Sequence, residues 1–223
     1  MNKKLIIAAA LCLLPGVSFA QAEKKDSTVF TVVKENPITP VKDQNQSGTC
    51  WAYSSLGFLE SELLRMGKGE HDLCESFLVY HTYMDRADKA IRTHGDVSFS
   101  QGGSFYDAIV PQDAMPAPGT PYGDSLFNFN QLSNVTTAYV EAIAKSNAKK
   151  INPVWKKDLN CMYENYFGKL PEKFTYKGKE YTPQSYAKSL GLNPDDYVSL
   201  TSFTHYPFYS KFIIEVQDKD VIC

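Results

Sequence analysis

The 223 residues allow one large domain or two small ones. With 43% hydrophobic and 22% charged residues, the chain can bury a sizeable core, which excludes disorder for its bulk. The 23 basic and 25 acidic residues leave a formal charge of −2, so no general pull towards nucleic acid is expected. No internal apolar run reaches the roughly 18 residues of a membrane span, so no membrane partner is expected either.

Lys3 and Lys4 precede an apolar run, Leu5 to Leu14, closed by Pro15-Gly16. Ser18 and Ala20 then stand at the −3 and −1 positions of a cut after Ala20. This is the three-part pattern of a secretory signal peptide, in proportions typical of a bacterial exported protein. Residues 1–20 are therefore read as a signal peptide, and the destination as the periplasm or the medium. Its removal leaves 203 residues and four cysteines, and the loss of two lysines takes the charge from −2 to −4. Residues 21–34 read as an exposed tail entering a short strand (Val29, Phe30, Val32, Val33), and 35–223 as one domain.

Pro37 and Pro40 keep the next segment extended, and 42–49 is a turn-rich loop. Ala52, Leu56, Leu59 and Leu63 then repeat as the buried stripe of a helix, with Gly67 as its stop. Asp72 and Glu75 resemble a capping box before a second amphipathic helix carrying Phe77, Tyr80, Met84, Ala87 and Ile91. A short helix is expected near 104–110, an irregular loop over 111–131, and helices near 134–147 and 154–167. Phe174-Thr-Tyr and Glu180-Tyr-Thr flank Lys177-Gly178-Lys179, a hairpin signal. Thr182-Pro183 opens a helix that Gly191 ends. Residues 197–203 and 211–216 read as strands. Helices come first and strands late, which predicts an α+β fold.

Cys50 lies where a glycine-containing loop becomes a helix. The unsatisfied N–H groups and partial positive charge of a helix start stabilise thiolate over thiol, and the thiolate is the nucleophile. Gly48 would let a substrate carbonyl approach the backbone. The Cys50 N–H and the Gln44 carboxamide are the candidate donors to a developing oxyanion. No Cys-x-x-Cys or His pair has metal-ligand spacing, so neither a metal nor another cofactor is expected.

Pro40-Val-Lys-Asp-Gln44 with Gly48-Thr-Cys50-Trp51-Ala-Tyr-Ser54 resembles the active-site signature of the papain-like cysteine peptidases. Gln101-Gly102-Gly103-Ser104-Phe105 is similar to that family's Gly-Gly segment, whose backbone pairs with the substrate chain. The resemblance implies Cys50 and Gln44 as catalytic residues, Gly102, Gly103 and Trp51 as substrate-binding residues, and a peptide as substrate. Most relatives pair a Cys three residues before the nucleophile with one in the Gly-Gly loop. Here Ser47 stands at the first position, and no Cys lies between 97 and 103. That departure, and the long insertion after Gly103, resemble the bleomycin hydrolase and aminopeptidase C branch. The branch implies removal of N-terminal residues and a self-assembled ring of subunits.

The family's base is a His in a His-Ala strand motif, oriented by an Asn, and neither motif is in this chain. His71 and His94 read as surface residues, and His81, on the second helix, as packing or a surface cap. His205 lies in a predicted loop between strands, not in a His-Ala strand. Cys74 reads as packed, and nothing in the sequence marks Cys161 or Cys223 as reactive. The predicted strand 212–216 has no partner after it. The expectation is therefore a papain-like fold with its helical half present and its β half incomplete. A peptide-binding pseudoenzyme and an inactive truncated peptidase stand as the alternatives to an active enzyme.

Overall fold

The computed structural model describes residues 30–109, 113–117, 129–146, 148–197, 207, 209 and 210. Residues 1–35 and 36–223 are separate units. In the first, residues 30–35 are exposed and form neither helix nor strand, so the short strand expected there is not formed across its described part. Phe30, Val32 and Val33 point their apolar side chains at solvent.

The second unit is mostly helical with a small sheet, which fits the α+β expectation. Helix α1 spans Cys50–Arg65. Its stripe of Ala52, Leu56, Leu59 and Leu63 is buried, as the spacing predicts. Gly67 follows in the left-handed region at φ 70°, and the Lys68 N–H returns to the Leu63 carbonyl, which closes the helix. Helix α2 spans Glu75–Arg92 and packs against α1, α4 (Phe129–Ala144) and α5 (Val154–Phe167). The short helix α3, Phe105–Ile109, lies on α1. Between α2 and α5, the ring of Tyr163 meets those of Tyr80, Tyr83 and Phe167.

The capping box expected from Asp72 and Glu75 does not form. Cys74 is the N-cap of α2, in an extended conformation with no side-chain cap bond. Both carboxylates turn instead to Lys42, whose Nζ lies 2.5 Å from Asp72 and 2.8 Å from Glu75. A cation brought from 30 residues away competes successfully with a local backbone donor.

The hairpin forms with β1 (Phe174–Tyr176) antiparallel to β2 (Lys179–Tyr181). Lys177 and Gly178 make its turn at φ 47° and 77°, the paired positive angles of a turn that matches strand twist. Helix α6, Pro183–Leu190, has a full capping box between Thr182 and Ser185 and ends at Gly191 in the left-handed region. Tyr186 of α6 is buried among Phe174, Tyr176 and Tyr181. A 3-10 turn follows at Pro194–Asp196. Most of the strand expected over 197–203, all of that over 211–216, the signal segment and His205 lie outside the described residues.

Candidate active site

Cys50 is the first residue of α1 and is exposed. Thr49, the N-cap, is buried and makes no side-chain bond to the helix. Its hydroxyl shares a 2.6 Å hydrogen bond with that of Ser47 instead. The first-turn N–H groups therefore have no side-chain cap, and the positive end of the helix remains beside the thiol.

Gln44 and Cys50 line the same cleft. Gln44 Nε2 donates to the Ser47 carbonyl at 2.8 Å, and Ser47 Oγ donates back to the Gln44 carbonyl at 2.7 Å. This reciprocal pair fixes the loop and the carboxamide plane. A carboxamide carries two N–H donors, so one bond leaves capacity for an oxyanion. One wall of the cleft is the segment 36–42, including Ile38 and Val41. The other is the α1 face that carries Cys50, Ser54 and Phe58 at successive four-residue steps. Tyr53 also faces it. Burial, then the charge of Glu75, pushes its phenol up to about 12, so it is neutral near pH 7.

Cys50 and Ser54 border a second recess with Trp51, Gly103 and Phe105. The structure thus brings the two sequence motifs together on either side of one thiol. Trp51 is only 4% exposed, so its ring is a packing surface rather than an open platform. A Cβ on Gly103 would lie 2.4 Å from that ring, so only glycine fits. A Cβ on Gly102 would meet nothing within 4 Å. At Gly48 the close approach is to Gln101, whose Oε1 would lie 2.7 Å from an added Cβ.

Sequence reasoning missed what holds the Gly-Gly segment. Arg86 of α2 donates to the carbonyls of Gly102 and Ser100 and pairs with Asp107 at 2.9 Å. Asp107 accepts in turn from the Ser104 N–H at 2.8 Å. It also missed the partly buried charge cluster around Lys42 at the cleft wall. Lys42 Nζ lies 2.8 Å from Glu60, which further accepts from the Thr39 hydroxyl and the Leu73 N–H. Burial works against the Lys42 charge, but Glu75, Asp72 and Glu60 outweigh it and raise its pKa. Burial also raises the Glu75 carboxyl, against the pull of Lys42. Desolvation is thus the largest cost to both partners of this ion pair.

Among the described residues no histidine lines either recess. His71, expected at the surface, is half-buried, with Nδ1 3.2 Å from the Tyr186 hydroxyl. His81 packs edge-on between the rings of Phe77 and Tyr80, as expected. His94 is exposed at φ 53° in a turn. Cys74 is buried, and burial pushes its thiol up to about 12.

Residues 26–85 match the family described as papain family cysteine protease. The matched stretch contains Gln44 and Cys50 and stops before Gly102. Over 43 residues the chain is 51% identical to a protein named cathepsin K from Gallus gallus, covering 19% of this chain and 13% of that one. Over 97 residues it is 26% identical to a mitochondrial protein named cysteine proteinase 1 from Saccharomyces cerevisiae, covering 43% of this chain and 19% of that one. The matches therefore span less than a fifth of either relative's length.

Proposed function

We propose that this chain is a cysteine-type peptidase with Cys50 as its nucleophile. The observation that carries this reading is the exposed Cys50 at an uncapped helix start, in one cleft with Gln44 and against Gly103. The Cys50 sulfur would attack the carbonyl carbon of a peptide bond. Gln44 and the Cys50 N–H would donate to the oxyanion. The C–N bond then breaks, the amine leaves with a proton, and a thioester remains. Water hydrolyses the thioester, releasing the acid and restoring the thiol.

Within this class we favour an aminopeptidase of the bleomycin hydrolase type. Ser47 and the cysteine-free 97–103 loop support that branch, and Gln44 and Cys50 lie within the papain-family match. The second reading is a domain that holds peptides without cleaving them. It draws on the absence of a histidine from the two recesses among the described residues, since general-base help contributes about 10²–10⁴-fold.

The deciding experiment incubates the full chain with free and N-blocked fluorogenic dipeptides, beside Cys50→Ala. Turnover of the free peptide alone, lost in Cys50→Ala, is expected from an aminopeptidase. Equal turnover of both substrates would remove the aminopeptidase reading. Binding without turnover, unchanged by Cys50→Ala, would favour the second reading.

A further inference from the structure

Gln101 joins the two halves of the candidate site at two points and is anchored to α2 at a third. Its side-chain Oε1 accepts from the Gly48 N–H at 2.7 Å, two residues before Cys50. Its carbonyl oxygen accepts from the Trp51 indole N–H at 2.9 Å, one residue after Cys50. The same carbonyl accepts from the Tyr83 hydroxyl of α2 at 3.1 Å, so both of its lone-pair directions are used. The nucleophile is thereby bracketed, before and after, by bonds to a single residue. That residue is directly followed by Gly102 and by Gly103, which borders the recess beside Cys50.

We propose that Gln101 is a positioning residue that fixes the register between the Cys50 thiol and the Gly102-Gly103 segment. The inference rests on the peptidase reading for its consequence, but the tether itself does not. The backbone half of the link survives any substitution at 101. The Gly48 bond is the part the side chain supplies, and it holds the loop in which Gln44 is turned towards the cleft. An off-register thiol would still meet a small reagent, which needs only access. A peptide-like reagent must also lie along the Gly-Gly segment, and small misplacements there are costly to reaction.

Two substitutions separate the effects. Gln101→Met keeps the length and removes the acceptor. Gln101→Glu keeps an acceptor at the same reach and adds a charge. The measurements are Gly48 amide hydrogen exchange by NMR, and Cys50 modification by iodoacetamide and by a dipeptidyl vinyl sulfone. The ratio of the two modification rates cancels any change in thiolate population, because both reagents consume the thiolate. In Gln101→Met, Gly48 exchange should rise about tenfold and the vinyl sulfone to iodoacetamide ratio should fall about tenfold. Gln101→Glu should keep both near the parental values. Unchanged Gly48 exchange in Gln101→Met would overturn the tether. Faster exchange with an unchanged ratio would overturn the positioning role. A parental chain that takes iodoacetamide at Cys50 but never the vinyl sulfone would overturn the peptidase reading, and the positioning role with it, while exchange still decides the tether.

Discussion

The Lys42 ammonium lies 2.8 Å from the carboxylate of Glu60, a side chain with no exposure to solvent. Lys42 sits two residues before Gln44, and Glu60 sits on α1, the helix that begins at Cys50. This ion pair therefore pins the extended segment leading to Gln44 to the helix that begins at Cys50. Lys42→Met should leave Glu60, Glu75 and Asp72 without their shared cation. Breaking a buried pair from one side costs about 3–5 kcal/mol. The low end is expected here, because Lys42 keeps 25% exposure and Asp72 45%. Urea denaturation of the variant beside Lys42→Arg measures it, and equal midpoints for Lys42→Met and the parent would refute it.

The features legible in the sequence were those set within a few residues. The Lys177-Gly178 turn, the Thr182 cap with its Gly191 stop, and the α1 stripe each follow from local sterics or periodicity. Cys50 and Gln44 were legible because loop, helix start and spacing lie in one short stretch. Lys42 was not, since its partners stand 18 to 33 residues away, and no spacing rule chooses them. Asp72 and Glu75 show the cost of a local reading alone: a capping pattern yields when a cation arrives from elsewhere in the chain. The bonds that Gln101 and Arg86 make to the site were missed for the same reason.

Gly103 and Gly102 should respond differently to alanine. A methyl on Gly103 would enter the Trp51 ring, which is packed and cannot retreat without disturbing α1. Overpacking of this kind costs about 1–3 kcal/mol. Gly103→Ala should lower the denaturation midpoint and shift Trp fluorescence, whereas Gly102→Ala, with open space at its Cβ, should do neither. Equal losses in both variants would show that the Trp51 contact is not the reason for glycine at 103.

We propose that the chain is exported and cut after Ala20, on the strength of Lys3-Lys4, the short apolar run and Ser18-Phe-Ala20. Intact mass of protein from its native host should lack residues 1–20. Full-length chain in the cytoplasm as the main species would refute this.

Acid should destabilise the fold through two histidines. Burial lowers the pKa of His81, against the charge of Asp113, and burial likewise lowers that of His71. The unfolded rings then take up protons first as pH falls below about 6.5. Their stabilising contribution is complete above that pH and is lost as pH falls through the lowered native values. Each group can add a slope of up to about 1.4 kcal/mol per pH unit. His81→Phe should therefore flatten the stability profile below about pH 6.5. Parallel profiles for parent and variant would show that His81 does not carry the dependence.

Cys50 should outrun the other described thiols in a brief, limiting alkylation near pH 7.5. Cys74 is 3% exposed, and burial pushes its thiol up to about 12, so it offers neither access nor thiolate. Cys161 is the closer rival, because it is exposed too. It sits inside α5, where backbone N–H groups are spent on the helix ladder. Cys50 instead opens α1, at a helix end that carries partial positive charge and no side-chain cap. A helix terminus is worth about 0.3–1 kcal/mol at an exposed site, so the advantage over Cys161 should be roughly two- to fivefold. Peptide mapping after limiting iodoacetamide reads the order directly. Unfolding in urea should abolish the difference between Cys50 and Cys161, since the helix start disappears with the fold. Preferential labelling of Cys161 in the folded protein would remove Cys50 from the role of nucleophile.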